Sequence, residues 1–315
     1  MARSELPHVA RGASSGGAPP RSPLASLVIS LRPDQWTKNL VVFAGLLFGK
    51  LLFEPRALLL TGAAFVVFCA LSGVVYLVND VADREADRRH PLKSRRPIAS
   101  GALSPAWALT GAALIATGGV AAALWIRPAF GLVALTYLAL MFAYSVKLKH
   151  VVILDVLTIA AGFVLRAVAG AVAIEVPISH WLLVCTVLLA LFLGLSKRRH
   201  ELTMLADSAV EHRRILGEYS PYLLDQMIGV VTASTLIAYI FYTIDPETAH
   251  KFGTGYLGLT IPFPLYGIFR YLYLVHQKEG GGSPAEMLLN DRPLLACVAL
   301  WAAAVVVIVY GVART

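Results

Sequence analysis

The sequence predicts an all-α, multi-pass membrane protein, and three observations predict it. Of 315 residues, 57% are hydrophobic and only 15% are charged, against about 25% charged in an average soluble domain. The mean hydropathy is +0.70. Apolar runs near the ~20 residues that a helix needs to cross a bilayer recur along the chain, divided by short polar loops. Lipid is then the solvent for most side chains, and no single large core is required.

Taken in order, residues 1–24 are rich in Gly, Ser, Pro and Ala and lack the apolar stretch of a signal peptide, so a disordered cytoplasmic tail is expected. Residues 25–315 read as a single transmembrane catalytic domain. Its nine candidate spans are 36–53, 57–79, 104–126, 129–146, 151–174, 181–197, 227–245, 255–276 and 293–312. The first opens on Arg32, Asp34 and Lys38; the sixth is short and bounded by His180 and Lys197. A low-complexity loop surrounds Gly280 to Gly282. Cys69, Cys185 and Cys297 sit in separate apolar runs and read as small buried hydrophobes. The 8 histidines form no HxxxH or Cys/His pair, which argues against zinc.

Of the 27 Lys and Arg residues, this reading puts twenty on the side of the N-terminus. Five (Lys50, Arg56, Arg127, Lys251, Arg314) lie on the other side, and Arg166 and Arg270 lie within spans. The positive-inside rule therefore sets the N-terminus in the cytoplasm of a bacterial-type inner or plasma membrane. The loops after spans 2, 4, 6 and 8 share that side and carry nearly all the polar chemistry. This asymmetry accounts for much of the net charge of +8. No aromatic-studded basic groove accompanies it, so nucleic acid is not an expected partner.

Span 2 ends in LVNDVADREADRRHPLKSRRPIASG, residues 77–101. Asn79, Asp83 and Asp87 are spaced i, i+4, i+8, and Asp80 precedes Asp83 by three, so a continued helix carries all four on one stripe. Carboxylates at that spacing repel one another, and a divalent cation offsets the cost. Mg²⁺ prefers one or two carboxylates together with substrate phosphates, so the stripe points to a magnesium–diphosphate site. The competing reading is a solvated helix end whose Asp/Arg neighbours face water.

The pattern N-D-x-x-D-x-x-x-D at the end of span 2 resembles the UbiA-type intramembrane prenyltransferase superfamily, position by position at Asn79, Asp80, Asp83 and Asp87. That resemblance implies a UbiA-like bundle around a polar chamber open to the cytoplasm, with Asp80, Asp83 and Asp87 as the Mg²⁺ ligands. Members that prenylate aromatic rings carry a second D-x-x-x-D box after span 6. Here that stretch is LSKRRHELTMLAD, with Lys197, Arg198, Arg199, His200 and Glu201 before a single Asp207. Arg and Lys bind phosphate directly. Together with RPDQWTKN (32–39), YSVKLKHVVILD (144–155) and LLNDRPLL (288–295), the basic replacement resembles the decaprenyl-phosphate phosphoribosyltransferase branch. The resemblance runs from about Arg32 to Trp301. It implies transfer of 5-phosphoribosyl from phosphoribosyl diphosphate to a polyprenyl phosphate, for an arabinan precursor of the cell wall. Phosphate ligands are then expected among Lys38, Lys147, Lys149, Lys197, Arg198 and Arg199, beside Tyr144. Lys93, Arg95 and Arg96 would close over the donor, and a homo-oligomer is allowed. For any single cation, topology remains the rival explanation.

Asp155 and Arg166 lie eleven residues apart, about three turns, and so share one side of span 5 with Ile159 and Gly162 between them. A charge near the bilayer centre costs about 2.5–3.5 kcal/mol on insertion scales, so Arg166 needs a partner or a wet cavity. Two roles stay open: Asp155 near the ribose hydroxyls with Arg166 as an anchor, or structural ion pairing. Two other functions compete. A prenyl-diphosphate:aromatic transferase of the same fold lacks its second acidic box here. A cation transporter would carry its carboxylates near the midplane rather than at one rim.

Overall fold

The computed structural model describes residues 22–90, 93–205, 214–278, 282 and 284–311. Residues 1–21 of the expected tail, Asp207, and Gly280 and Gly281 of the expected loop lie outside them. Among the described residues the chain is helical, with no strand. It runs α1 (Pro23–Ser30), a 3-10 segment (Pro33–Phe43), α2 (Ala44–Phe48), α3 (Pro55–Ala82), α4 (Arg84–Arg89), α5 (Pro97–Ser100), α6 (Pro105–Ile126) and α7 (Pro128–Val146). It continues through α8 (Leu154–Ala173), α9 (His180–Leu205), α10 (Pro221–Ile244), α11 (Pro246–Phe252), α12 (Pro262–Gln277), α13 (Pro284–Asn290) and α14 (Arg292–Val306), which a π turn extends to Gly311.

Local sequence sets the helix starts. A proline in the first turn loses no hydrogen bond, because that N–H has no intrahelical partner. Before α1, α6, α10 and α11, the side chains of Ser22, Ser104, Ser220 and Asp245 each accept a first-turn N–H.

Among the described residues, seven helices are long and apolar enough to cross a membrane: α3, α6, α7, α8, α9, α10 and α14 with its extension. The other two expected spans are helical but broken. Residues 36–53 fall in the 3-10 segment and the five-residue α2, which Gly49 and a left-handed Lys50 (φ 61°) bring to an end. Residues 255–276 divide at Pro262 into a 3-10 turn (Tyr256–Thr260) and the 16-residue α12. At 1.5 Å per residue α12 reaches about 24 Å, short of the ~30 Å hydrocarbon layer.

The helices form two packed halves that share α8. Val42, Phe68, Leu71, Phe130, Tyr137 and Ala169 centre the first, built from the 3-10 segment, α3, α6, α7 and α8. Val156, Phe192, Leu195, Leu224, Tyr271 and Leu294 centre the second, on α8, α9, α10, α12 and α14. The broken segment lies directly on α8. A Cβ at Gly170 would stand 1.8 Å from the Val42 carbonyl oxygen, and one at Gly45 would stand 2.9 Å from the Ala171 backbone. Backbone meets backbone at this seam, and the polar residues of the 3-10 segment are held against the bundle.

Candidate active site

At 1.5 Å per residue, the 28 residues of α3 extend about 42 Å, longer than the ~30 Å apolar layer, so one end projects beyond the apolar layer. Asp80 lies in the last turn and Asp83 caps it (φ −91°, ψ 9°). The Asp83 N–H donates to the Asn79 carbonyl and the Asp87 N–H to the Asp83 carbonyl, both at 2.8 Å. Helical hydrogen bonding thus passes through the break into α4. Asp80 and Asp87, two turns apart, share a face and are 3% and 4% exposed. Asp83 turns partly outward, its side chain 48% exposed. The expected stripe forms in part: the Asn79 side chain makes no hydrogen bond among the described residues.

Cations already meet these carboxylates. Arg96 Nη1 bridges Asp80 Oδ1 at 3.1 Å and Asp87 Oδ2 at 2.6 Å. Arg32 Nη2 donates to Asp80 Oδ1 at 2.5 Å, and Lys149 Nζ stands 3.4 Å from Asp83 Oδ1. Arg32 adopts the left-handed region (φ 53°) and rests over the Tyr76 ring at 4.6 Å. A cleft of about 440 Å³ opens here, lined by Arg32, Asp34, Gln35, Asp80, Arg95 and Arg96. Among the described residues, no three His, Cys, Asp or Glu side chains gather closely enough to hold an ion alone. Asp80 and Asp87 converge on one point as hard oxygen donors. That fits Mg²⁺, which completes its shell with waters and phosphate oxygens.

A second cationic group lies beside the first. Lys38, on the 3-10 segment and outside the seven crossing helices, is within electrostatic reach of Lys197, Arg166 and Arg32. Burial first, then these three cations, pull its pKa from 10.5 to about 8, with Asp34 opposing. Arg166, 7% exposed, donates from Nε to Asn39 Oδ1 (2.7 Å) and from Nη2 to the Tyr137 hydroxyl (2.8 Å). Ser72 Oγ also donates to Asn39 Oδ1, at 3.2 Å.

The three basic residues after span 6 separate. Lys197 approaches Glu201 at 3.7 Å and is within electrostatic reach of Lys38. Arg198 is buried, held by Asp155 Oδ2 (2.8 Å) and Glu201 Oε2 (2.6 Å), with Tyr144 in electrostatic reach. Arg199 binds Asp225 at 2.5 Å, and His276 Nε2 lies 3.3 Å from the same carboxylate. Asp155 also accepts from the Tyr219 hydroxyl at 2.8 Å, which accepts the Ile153 N–H at 2.7 Å. Asp155, Arg198 and Arg199 thus each have partners within the protein. Lys147 and Arg95 are exposed, and Lys93 is half-buried. Tyr219, Asp225 and Tyr137 complete these networks without having stood out in the sequence. Glu201 could have been read as the i+3 and i+4 partner of Arg198 and Lys197.

The UbiA prenyltransferase family matches residues 39–290. The decaprenyl-phosphate phosphoribosyltransferase of Mycolicibacterium smegmatis is 31% identical over 93% of this chain and 95% of its own length. That of Mycobacterium tuberculosis is 33% identical over 91% of this chain and 95% of its own. Among solved structures, a UbiA homolog from Archaeoglobus fulgidus bound to GPP and Mg²⁺ superposes with a TM-score of 0.68 at 17% identity, covering 90% of this chain and 99% of that one. At that identity the likeness speaks to the fold.

Proposed function

The chain belongs to the UbiA prenyltransferase family, and from that premise we propose that it transfers 5-phosphoribosyl from phosphoribosyl diphosphate to a polyprenyl phosphate such as decaprenyl phosphate, releasing diphosphate. One observation carries the reading. A single acidic box, its Asp80 held by Arg32 and Arg96, is accompanied after span 6 by Lys197, Arg198 and Arg199 instead of by a second acidic box. The mycobacterial phosphoribosyltransferases, more than 30% identical over most of the chain, support the same reaction.

The chemistry follows from charge. Donor and acceptor bring a diphosphate, a 5-phosphate and a lipid phosphate into one site, more negative charge than one diphosphate and a neutral ring. Asp80 and Asp87, with Asp83 beside them, would hold a divalent cation, Mg²⁺ in this reading, which neutralises the leaving diphosphate when bound. Arg32 and Arg96 already meet these carboxylates and can turn to the phosphate oxygens that replace them. An oxygen of the lipid phosphate attacks the anomeric carbon of ribose as the bond to diphosphate breaks, and diphosphate leaves with the bonding pair. The nucleophile is already anionic, so no general base is needed. Positioning and fixed positive charge do the work. Residues 25–315 act as one catalytic domain in the inner or plasma membrane, with the site facing the cytoplasm.

The test uses detergent-purified protein with Mg²⁺, decaprenyl phosphate and ribose-labelled phosphoribosyl diphosphate. Label should enter the organic phase with the parent protein and not with Asp83→Ala. Turnover of an isoprenyl diphosphate with an aromatic acid, and none of the labelled donor, would overturn the assignment in favour of aromatic prenylation.

A further inference from the structure

Residues 147–153, between α7 and α8, end in a turn that local sequence does not favour. Ile153 has φ 69° and ψ −45°, and the Leu154 N–H donates to the Val152 carbonyl at 2.8 Å. That is a γ-turn of the rare and strained positive-φ kind, and a β-branched residue there is an outlier. Such a turn persists only where its surroundings hold it. The Ile153 side chain is 47% exposed, so packing does little of the holding. The hold comes from Tyr219, whose hydroxyl accepts the Ile153 N–H at 2.7 Å and donates to Asp155 Oδ1 at 2.8 Å. Asp155 takes Arg198 Nε on its other oxygen, also at 2.8 Å. Tyr219, Asp155 and Arg198 are all buried, which strengthens each bond in this lock.

The same loop brings a cation to the acidic box. Lys149 lies in the 3-10 turn Leu148–His150, and its Nζ stands 3.4 Å from Asp83 Oδ1. The backbone bonds inside the loop, from His150 to Lys147 and from Val151 to Leu148, both at 3.1 Å, fix its shape but not its place. Its place is set where it meets other elements: the start of α8, and the 3-10 turn Arg214–Glu218, which packs against Leu148–His150 and leads into Tyr219. We propose that Tyr219 is a positioning residue: by locking the γ-turn at Ile153, its hydroxyl sets Lys149 beside Asp83 at the rim of the acidic box. Among the described residues the hydroxyl bonds to Ile153 and Asp155 and to no member of the box, so its effect passes through the loop. The inference rests on the phosphoribosyl-transfer reading only for the reaction that is assayed.

The test compares variants of the full-length protein in detergent by labelled transfer and by hydrogen–deuterium exchange. Tyr219→Phe keeps the ring in its apolar packing and leaves Arg198 on Asp155. It should lower kcat/KM about tenfold and speed exchange across residues 147–155 with no substrate present. Ile153→Pro removes the N–H that Tyr219 accepts and cannot adopt a positive φ. It should lower transfer as far while leaving Tyr219, Asp155 and Arg198 in place. Glycine takes positive φ freely, so Ile153→Gly in the Tyr219→Phe background should restore transfer to within about threefold of the parent. Lys149→Met, itself slower than the parent, separates positioning from mere stabilisation. A residue that acts through Lys149 adds nothing once Lys149 is gone, so Tyr219→Phe combined with Lys149→Met should be no slower than Lys149→Met alone. Losses that multiply would reduce Tyr219 to a stabilising contact and overturn the proposal. Unchanged exchange in Tyr219→Phe, or no recovery with Ile153→Gly, would do the same. The exchange arm needs neither Mg²⁺ nor turnover. A parent protein that transfers no label would sink the reaction reading, and the lock would then stand or fall on exchange.

Discussion

Asp80 and Asp83 stand three residues apart in different surroundings, and substitution should separate them. Asp83 is half-exposed and holds only Lys149 at 3.4 Å. Asp83→Ala is expected to abolish transfer with little change in melting temperature. Asp80 is buried and satisfies both Arg32 and Arg96. Asp80→Ala should abolish transfer and also cost about 2 kcal/mol, less than the ~3–5 kcal/mol of a fully buried pair because both arginines keep part of their surface in water. Equal melting temperatures for the two variants would count against this division. Lys38 adds a pH signature. With its pKa lowered to about 8 by burial and by Lys197, Arg166 and Arg32, it is charged below that pH and neutral above it. Apparent affinity for the anionic substrates should therefore fall as pH rises through 8. The unfolded chain holds this proton up to about 10.5 and the folded one releases it near 8, so stability should rise over that interval. Opposite trends in KM and melting temperature mark Lys38, and Lys38→Met should flatten both. At this scale the acidic box was legible because i, i+3 and i+4 spacing is geometric. Consecutive helical residues point about 100° apart, so the basic run divides: Lys197 lies toward Glu201, Arg198 toward Asp155 and Glu201, and Arg199 toward Asp225.

The 3-10 segment decides whether the site exists, because it carries Lys38 and Asn39 and begins beside Arg32. Its seat on α8 depends on Gly170, whose missing side chain admits the Val42 carbonyl. Gly170→Ala would drive a methyl into backbone, which cannot rotate away. The expected cost is about 1–3 kcal/mol of overpacking, with transfer lost although no substrate contact is touched. A thermal melt together with the labelled-donor assay checks both, and a stable, active variant would show the seam to be slack. Seven of the nine expected spans are long helices because continuous apolar length is a direct reading of what a bilayer demands. The breaks in the other two come from Pro262 and from polar residues whose partners lie far along the chain: Asp80 for Arg32, Arg166 for Asn39. Ile153 is a similar case. A β-branched residue at φ 69° is strained, and it is held by Tyr219, 66 positions away. No local sequence signal carries such pairings.

Across the whole molecule, the positional asymmetry of charge is the strongest constraint on orientation. The acidic box, Lys38, Lys147, Lys149 and Lys197 belong to loops and helix ends that the sequence assigns to one side, whereas Lys50, Arg127 and Lys251 belong to the other. On the other side Arg127 pairs with Glu175, and Lys50 Nζ reaches the Phe252 carbonyl at 3.3 Å. Those contacts join loops on that side. The bilayer supplies an independent reason for the same polarity, because cytoplasmic loops retain Lys and Arg. On that rule the proposed orientation turns the cationic site to the cytoplasm, where a phosphoribosyl diphosphate donor would be soluble. Cysteine labelling tests this directly. Cys69 and Cys297 are buried and Cys185 is partly covered, so replacing all three with alanine should leave a silent background. A single cysteine at Lys147 should react with an impermeant maleimide in inside-out vesicles only, and one at Lys251 in right-side-out vesicles only. The reverse pattern would turn the molecule over. The donor would then have to be delivered to the outer face, and the assignment of phosphoribosyl diphosphate as donor would fall with the orientation.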